Sequence, residues 1–223
     1  MGSQKFGIQQ EAGLELAKAI KEMSDSGHEV AIVIGGGNIF RGVELKTLGL
    51  QRTPADHMGM LATLINGIAL QQALIAVGCS AKVMSALECP QVADPYNWSK
   101  ALEYLAAGTV LIFVGGTGNP YFTTDTAAAL RASEIHADIL LKATKVDRIF
   151  NKDPLKHPEA VQYHTMSYSQ VLAEKLEVMD ATAIALCRSN SIPIFVFNMG
   201  LLGKQGINTI LTKNDLGTLV KGE

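Results

Sequence analysis

The 223-residue sequence lacks several features that mark whole classes of protein. No apolar run approaches about 18 residues, so we expect no membrane-spanning helix. The start, MGSQKFGIQQ, has no apolar signal region, and Phe6 stands where a myristoylation signal requires Ser or Thr. No Pro/Gly/Ser-rich linker, low-complexity tract or internal repeat interrupts the chain. The sequence therefore predicts a single domain over residues 1–223, without a membrane partner.

Cysteine and net charge are also low. Cys79, Cys89 and Cys187 show no metal-ligand spacing, and their odd number argues against a disulfide framework. Free thiols fit a reducing compartment, so we expect a cytoplasmic protein. The formal net charge of -2 argues against a broad nucleic-acid-binding face, although a local basic pocket stays open.

Strands and helices alternate along the chain. Amphipathic or apolar helices are predicted over 9–26 and 53–78, and the mainly apolar runs EVAIVI, TVLIFVGG, ADILLKAT and IPIFVFN are predicted as buried strands. Fully apolar strands are typical of a parallel sheet that is covered on both faces. The pattern therefore predicts an α/β fold, a three-layer αβα sandwich around a mainly parallel sheet.

Each apolar strand ends in a polar or glycine-rich loop. These loops are Gly35–Gly37, Gly115–Gly118, Thr144–Asp147 and Asn198. Open α/β sheets bind ligands outside the carboxyl ends of their strands. The sequence thus predicts that all four loops share one ligand-binding rim.

The first loop, GGGNIFRG, has two interpretations. It is not a Walker A loop, because no Gly-Lys-Ser/Thr follows the glycines. The glycines either form a tight turn or let the backbone approach phosphate, and Arg41 is either a surface residue or a bidentate phosphate ligand.

The second loop, GGTGNPYFTTDTAAALR, precedes a predicted helix. Thr123 and Thr124 are good N-caps and Asp125 lies in the first turn, so the stretch reads as an ordinary strand–turn–helix or as an anion site at the helix N-terminus. A second glycine-rich strand end in the same chain favours the anion site. Two such loops suit two phosphate-bearing ligands.

Charged residues elsewhere have similar alternatives. Asp56 is either an N-cap or a carboxylate that bonds ligand hydroxyls, and the adjacent His57, without a metal-spaced partner, is interpreted as structural. Lys142 and Lys145 either lie in a solvated loop or neutralise charge on a transferring phosphoryl group. Asp180 is either an N-cap or a carboxylate that holds lysines or a metal.

The chain resembles the bacterial-type UMP (uridylate) kinases of the amino acid kinase superfamily. The matching stretches include VIGGGNIFRG, DHMGMLAT, GTGNPYFTTDTAA and LLKATKVD, in family order across nearly the whole chain. The resemblance implies the amino acid kinase fold. It also implies transfer of the ATP γ-phosphoryl to UMP with Mg²⁺, giving UDP and ADP in pyrimidine biosynthesis, and a homohexamer activated by GTP and inhibited by UTP.

The resemblance also implies roles for individual residues. The UMP site would comprise Gly36, Asp56, Thr117, Gly118, Asn119, Pro120, Tyr121, Phe122, Thr123 and Thr124. ATP would bind at Gly37, Arg41, Thr144, Phe150 and Asp153, and the GTP region would comprise Gly2, Ser3, Gln4, Lys5, Phe6 and Gly7. The catalytic candidates are Asp180, Asp125 and Lys142. No metal ligands are implied.

One family segment has no counterpart in the sequence. The family opens with a buried strand ending in Lys-Leu-Ser-Gly-Glu, whose lysine contacts the transferred phosphoryl group and whose backbone binds ATP phosphates. We expect the chain as written to give little UMP-dependent ADP release. The absent strand would also leave two neighbouring strands with unpaired edges. A recorded start that is too late explains this better than degeneration, since the other site residues are intact.

Two other functions are alternatives to the UMP kinase interpretation. A non-catalytic nucleotide- or oxyanion-binding protein would keep the pockets without the transfer lysine. A kinase for carbamate or an amino-acid carboxylate would share the fold, but DHMGMLAT and TGNPYFTT match the nucleotide-acceptor branch.

Overall fold

The computed structural model describes residues 7, 10–40, 49–152, 157, 159–176, 178–202, 204–212 and 216–222. The chain divides into two compact units, residues 1–127 and 128–223. Each unit is built on its own four-stranded sheet.

The described part of the first unit contains a fully parallel sheet and three helices, and a fourth helix begins within it. In chain order the elements are α1 (Gln10–Asp25), β1 (Ala31–Val33), α2 (Arg52–Ala76), β2 (Ala81–Ser85), β3 (Asp94–Pro95), α3 (Trp98–Ala106), β4 (Val110–Val114) and α4 (Thr124–Glu134). The strand order is β1-β4-β2-β3. Strand β4 pairs with β1 and β2 on its two sides, all in parallel.

The position of a strand in this sheet determines its burial. All five residues of β4 are buried, as the apolar run TVLIFVGG predicts, because β4 lies between two strands and under α2. The run EVAIVI forms only the three-residue strand β1, whose residues are half-buried. The expectation of a strand covered on both faces is wrong for β1, because it is an edge strand whose partner within the described ranges is β4.

Helix α2 is the longest helix among the described residues. By length and composition alone it could cross a membrane, and 44% of its most apolar window is buried inside the unit. Leu64, Leu70 and Leu74 pack into the core against β2 and β4. The core helix of a globular domain can have the same length and hydropathy as a membrane-spanning helix. The packing of α2 is that of a core helix.

The second unit has a mixed sheet. Its elements are β5 (Leu140–Thr144), β6 (Ile149–Phe150), β7 (Gln162–Tyr163), β8 (Thr165–Ser167), α5 (Tyr168–Ala173), α6 (Ala181–Ser189), β9 (Ile194–Asn198), a 3₁₀ turn (Met199–Leu201), α7 (Ile207–Thr212) and β10 (Gly217–Lys221). The order is β5-β9-β10-β8, and only the pair β9–β10 is antiparallel. Strands β6 and β7 form a separate antiparallel pair.

The α/β class and the mainly parallel pairing are confirmed, but the strands group differently from the sequence expectation. The described residues form two four-stranded sheets instead of one. Strands β1 and β5 are edge strands of their sheets, because each pairs with a single described strand. The partial burial of β5, which the sequence predicts to be fully buried, has the same cause.

The core of the second unit encloses Cys187. Cys187 belongs to α6, its side chain is fully buried in the core, and burial raises the pKa of its thiol to about 11. Burial also raises the pKa of Tyr168 to about 12, and the Tyr168 hydroxyl donates a hydrogen bond to the carbonyl of Ile192. Both groups stay protonated at neutral pH. The Tyr168 hydrogen bond holds α5 against the start of β9.

We expect iodoacetamide to alkylate Cys89 well before Cys187 in the folded protein. The thiolate is the reactive form, and Cys187 is both buried and hard to ionise, whereas Cys89 is half-buried. Peptide mass spectrometry over time at about pH 8 measures both sites, with a urea-unfolded sample as reference. Equal rates in the folded protein would contradict the packing of α6, and Cys89→Ser identifies the fast phase.

Candidate functional site

The two glycine-rich loops of the first unit meet at the start of α4. A Cβ placed on Gly35 would lie 3.3 Å from Thr124 Oγ1, which places the loop after β1 beside the first residue of that helix. The Asn66 side-chain amide, from α2, donates to the Gly35 carbonyl at 2.7 Å. The sequence expectation that these two strand ends form one surface is met within this unit.

Asparagines fix the first loop from beneath. Asn66 is 4% exposed, and its amide exchanges reciprocal hydrogen bonds of 2.6 and 3.0 Å with the amide of Asn38. Asn38 also exchanges two 3.0 Å hydrogen bonds with the backbone of Gly7. The loop is therefore held by a polar network that includes the buried Asn66. Hydrogen bonds in a region of low dielectric constant are strong, provided that every polar group has a partner.

The three glycines of this loop have different environments. A Cβ on Gly36 would lie 2.6 Å from the Gly59 carbonyl oxygen, so glycine is required there by the close approach of α2. Gly37 is exposed and a Cβ there would meet nothing within 4 Å. Gly37 is therefore open to a ligand, and Gly36 is a packing position as well as a candidate UMP contact.

The second loop depends on backbone conformations that favour glycine. Gly115, Gly116 and Gly118 have φ values of 78°, 59° and 80°. The Gly115 N–H donates to Thr63 Oγ1 at 2.7 Å, and that hydroxyl donates to the Met60 carbonyl at 2.6 Å. Helix α2 thus fixes the start of the second loop through a buried threonine.

The stretch that follows is open to solvent and leads into α4. Asn119, Tyr121, Phe122, Thr123 and Thr124 are exposed. Thr123 Oγ1 accepts from the amides of Asp125 and Thr126 at 3.1 and 3.3 Å, so Thr123 is the cap and Thr124 is the first helical residue. An exposed first turn with backbone N–H groups is suited to a phosphate.

Asp56 does not cap α2. The helix begins at Arg52 after Gln51, so Asp56 lies in its second turn with its side chain 22% exposed. Its Oδ2 accepts the backbone N–H of Tyr121 at 2.7 Å, and Arg52 Nε donates to both of its oxygens at 2.8 and 2.7 Å. The carboxylate thus lies on the same surface as the second loop. His57 is exposed beside it.

In the second unit, the ends of β5 and β9 lie side by side. Thr144 is in register with Asn198, and its hydroxyl donates to the Val146 carbonyl at 2.7 Å. The Asn198 amide donates to Asp147 Oδ1 at 2.7 Å, and its oxygen accepts the Gly200 N–H at 2.7 Å. These bonds join the two strand-end loops of this unit.

The other candidates of the second unit occupy separate elements. Lys142 is half-buried on β5 and Phe150 is half-buried on β6. Asp180 is the N-cap of α6, where its Oδ1 accepts the Ala183 N–H at 2.9 Å. The N-cap interpretation of Asp180 is therefore correct as to structure, and its second oxygen is left out of that contact.

Comparison with known proteins identifies the relatives of this chain. The model of the amino acid kinase family matches residues 6–198. A uridylate kinase of Protochlamydia amoebophila is 66% identical over 220 residues, which cover 99% of this chain and 88% of that protein. The chain belongs to the uridylate kinase branch of the amino acid kinase family. The bacterial-type UMP kinase resemblance is thus confirmed.

Further members of the uridylate kinase branch agree with this assignment. The uridylate kinase of Aeromonas salmonicida is 48% identical over 219 residues, covering 98% of this chain and 89% of that protein. The crystal structure of UMP kinase from Ureaplasma parvum superposes with a TM-score of 0.93 at 38% identity, covering 99% of this chain and 93% of the other. The UMP kinase of Bacillus anthracis gives the same TM-score at 34% identity, covering 99% and 91%. The expected amino acid kinase fold is confirmed.

Some residues that the uridylate kinase resemblance singles out lie outside the described ranges. They are Gly2, Ser3, Gln4, Lys5, Phe6, Arg41 and Asp153. The others fall into two sets: Gly36, Gly37, Asp56, Thr117–Thr124 and Asp125 in the first unit, and Lys142, Thr144, Phe150 and Asp180 in the second. Gly7, the last residue of the expected GTP region, bonds to Asn38.

Sequence reasoning missed the roles of four residues that shape these loops. Thr63 and Asn66 are buried polar residues on an otherwise apolar helix face, and that contrast is a usable signal. Asn198 was noticed only as a strand end. Arg52 could have been found from its i,i+4 spacing to Asp56, whereas its contact with Tyr121 lies far along the chain and has no local signal.

We expect Thr63→Val to lower the free energy of unfolding by about 1–3 kcal/mol, because the buried Gly115 N–H loses its acceptor. Valine has nearly the shape of threonine, so packing changes little. Thr63→Ser, which keeps the hydroxyl, is the matched control. Urea unfolding measures both, and a valine variant as stable as the serine variant would contradict the hydrogen-bond role.

Proposed function

We propose that this protein transfers the γ-phosphoryl group of ATP to UMP, forming UDP and ADP in pyrimidine nucleotide biosynthesis. The observation that carries the proposal is the surface of the first unit on which a carboxylate, two glycine loops and a capped helix start adjoin. Relatives named uridylate kinase, 66% and 48% identical over nearly the whole chain, favour this function over a non-catalytic binding protein.

The acceptor surface supplies complementary groups for a nucleoside monophosphate. Asp56 offers carboxylate oxygens to hydroxyl groups, as carboxylates do for ribose. The exposed first turn at Thr123 and Thr124 offers hydroxyls and the positive end of the helix dipole to the phosphate. Gly36 and Thr117–Phe122 complete the proposed UMP site, and Asp125 positions the acceptor phosphate.

The donor nucleotide is assigned to another group of residues. We propose that Thr144, Phe150 and Asp153 bind ATP and that Gly37 and Arg41 contact phosphates. Lys142 stabilises charge on the transferring group and Asp180 orients the charged groups around it. Phosphoryl transfer depends mainly on positioning and electrostatic stabilisation, and these residue types supply both.

Nucleotide kinases of this kind need a divalent metal ion, and we propose Mg²⁺. The described residues contain no group of three or more His, Cys, Asp or Glu that could hold a metal. Mg²⁺ is usually bound by one or two carboxylates together with substrate phosphates, so the proposal does not require a larger cluster of protein ligands. The ion would neutralise charge on the β- and γ-phosphates, and Asp180 is the carboxylate we assign to its neighbourhood.

Assembly and regulation extend the proposal. We propose that both units act as a single amino acid kinase domain and that the protein is a cytoplasmic homohexamer, activated by GTP near Gly2–Gly7 and inhibited by UTP.

An apolar stripe on α2 supports self-association: Leu61, Ile65 and Ile75 are each about half exposed. Light scattering of Ile65→Glu tests this role, and an unchanged mass would argue against the stripe as an interface.

Substrate selection tests the proposed reaction. The complete gene product is assayed for ADP release with UMP, CMP, carbamate or glutamate as acceptor, and calorimetry measures binding of each. We expect saturable UMP-dependent ADP release and little response to the carboxylate or carbamate acceptors. Nucleotide binding without any phosphoryl transfer would favour the non-catalytic alternative. Transfer to carbamate or glutamate would indicate a sibling kinase.

A further inference from the structure

Arg52 connects two parts of the acceptor surface. Its Nε donates to both carboxylate oxygens of Asp56 at 2.8 and 2.7 Å, and its guanidinium lies 5.3 Å from the centroid of the Tyr121 ring. Tyr121 in turn donates its backbone N–H to Asp56 Oδ2 at 2.7 Å. The three residues therefore form a closed set, in which each one contacts the other two.

The position of Arg52 is unfavourable for its own helix. It is the first residue of α2, and a cation there opposes the helix dipole. The ion pair contributes little to stability, because the Arg52 side chain is 57% exposed and exposed pairs are screened by solvent. A residue that breaks a local rule without a stabilising gain is a candidate for a functional role.

Tyr121 needs contacts that hold its backbone. Its φ of 73° is uncommon for a bulky residue, and 65% of the residue is exposed, so burial does not fix it. The contacts that the structure shows for Tyr121 are those with Asp56 and Arg52. The backbone conformation at Tyr121 thus depends on this pair.

The arrangement leaves one carboxylate oxygen available. Oδ2 of Asp56 accepts from both Arg52 and Tyr121, whereas Oδ1 accepts from Arg52 alone among the residues that the structure describes. A carboxylate oxygen has two lone pairs, so Oδ1 retains capacity for a ligand hydroxyl. Arg52 fixes the plane of the carboxylate and hence the direction in which Oδ1 accepts.

We propose that Arg52 is a positioning residue of the UMP site, which holds the Asp56 carboxylate and the Tyr121 segment in their binding geometry before the nucleotide arrives. This inference rests on the proposed acceptor site. Preorganised groups lose less conformational freedom on binding, and the gain appears in affinity for the ligand they face. The effect is confined to UMP, since ATP is assigned to other residues.

Calorimetry with UMP and ATP tests the role of Arg52. We expect Arg52→Gln to raise the dissociation constant for UMP about tenfold, within the range of couplings in one hydrogen-bond network, and to leave that for ATP unchanged. Arg52→Lys keeps the charge but lacks the planar group that bridges Asp56 and the ring, so it should recover only part of the affinity. Tyr121→Leu should weaken UMP binding less in the Arg52→Gln background than alone.

Lys21→Gln is the matched control, because it breaks another exposed i,i+4 ion pair, with Asp25 at 2.8 Å on α1. It should leave UMP binding unchanged, and thermal unfolding should show equal stability for all these variants. Unchanged UMP binding in Arg52→Gln, equal loss of UMP and ATP binding, or strict additivity with Tyr121→Leu would overturn the inference.

Asp56→Asn, measured in parallel, separates the role of Arg52 from the proposed acceptor site. If Asp56→Asn weakens UMP binding and Arg52→Gln does not, only the role of Arg52 fails. If neither variant weakens UMP binding, the acceptor site fails as well.

Discussion

Asp56→Asn is expected to weaken UMP binding about 10- to 100-fold, the usual worth of a hydrogen bond to a charged group. The asparagine side chain keeps the size of the aspartate and can still accept the Tyr121 N–H, so the fold of the loop is retained. It loses the negative charge, and an amide nitrogen takes the place of Oδ1, the oxygen that retains capacity for a ligand hydroxyl. ATP binding should change about twofold at most, because the described partners of Asp56, Arg52 and Tyr121, are not among the residues assigned to ATP.

Isothermal calorimetry with UMP and with ATP separates these effects. The matched control is Asp25→Asn, which neutralises another exposed carboxylate that pairs with a cation one helical turn away. We expect that control to bind both nucleotides like the unmodified protein. Equal weakening of UMP and ATP binding by Asp56→Asn would remove Asp56 from the acceptor site.

Gly67→Ala is expected to destabilise the protein, although alanine is the better helix former. A Cβ on Gly67 would lie 2.3 Å from Val114 Cγ1, with Val83 and Ile112 close behind it. Valine is stiff at χ1 and Val114 is fully buried at the end of β4, so the neighbour has little room to move. Overpacking costs about 1–3 kcal/mol and helix propensity returns about 1 kcal/mol, which gives a net loss of up to about 2 kcal/mol.

Gly59→Ala is the control from the same helix. A Cβ there meets nothing within 4 Å, so the substitution should be neutral or stabilise the protein by up to about 1 kcal/mol. In a Val114→Ala background the clash disappears, and Gly67→Ala should then behave like Gly59→Ala. Urea unfolding of the four variants measures the coupling. A Gly67→Ala protein as stable as Gly59→Ala would show that α2 lies farther from β4 than the structure places it.

The sequence by itself determined the class of fold and the placement of most elements. The boundaries of α1 and of β4 follow from local patterns, amphipathic in one and apolar throughout in the other. The cap at Thr123 could also be predicted, since capping depends on residues two or three positions away. The motifs from Val33 to Asp180 indicated the uridylate kinase branch, which the comparisons confirm.

Tertiary structure decided what depends on residues far apart in the chain. Strand pairing separates the described strands into two sheets, and it leaves β1 and β5 half-buried at edges despite their apolar sequences. The requirement for glycine at Gly36 and Gly67 comes from the backbone of α2 and from Val114, not from turn geometry. Asp56 reads locally as a helix cap, yet its partner is the Tyr121 backbone. Local periodicity specifies which residues are apolar or helical, but strand neighbours, close approaches and long-range hydrogen bonds are set by chain packing, which no short stretch of sequence contains.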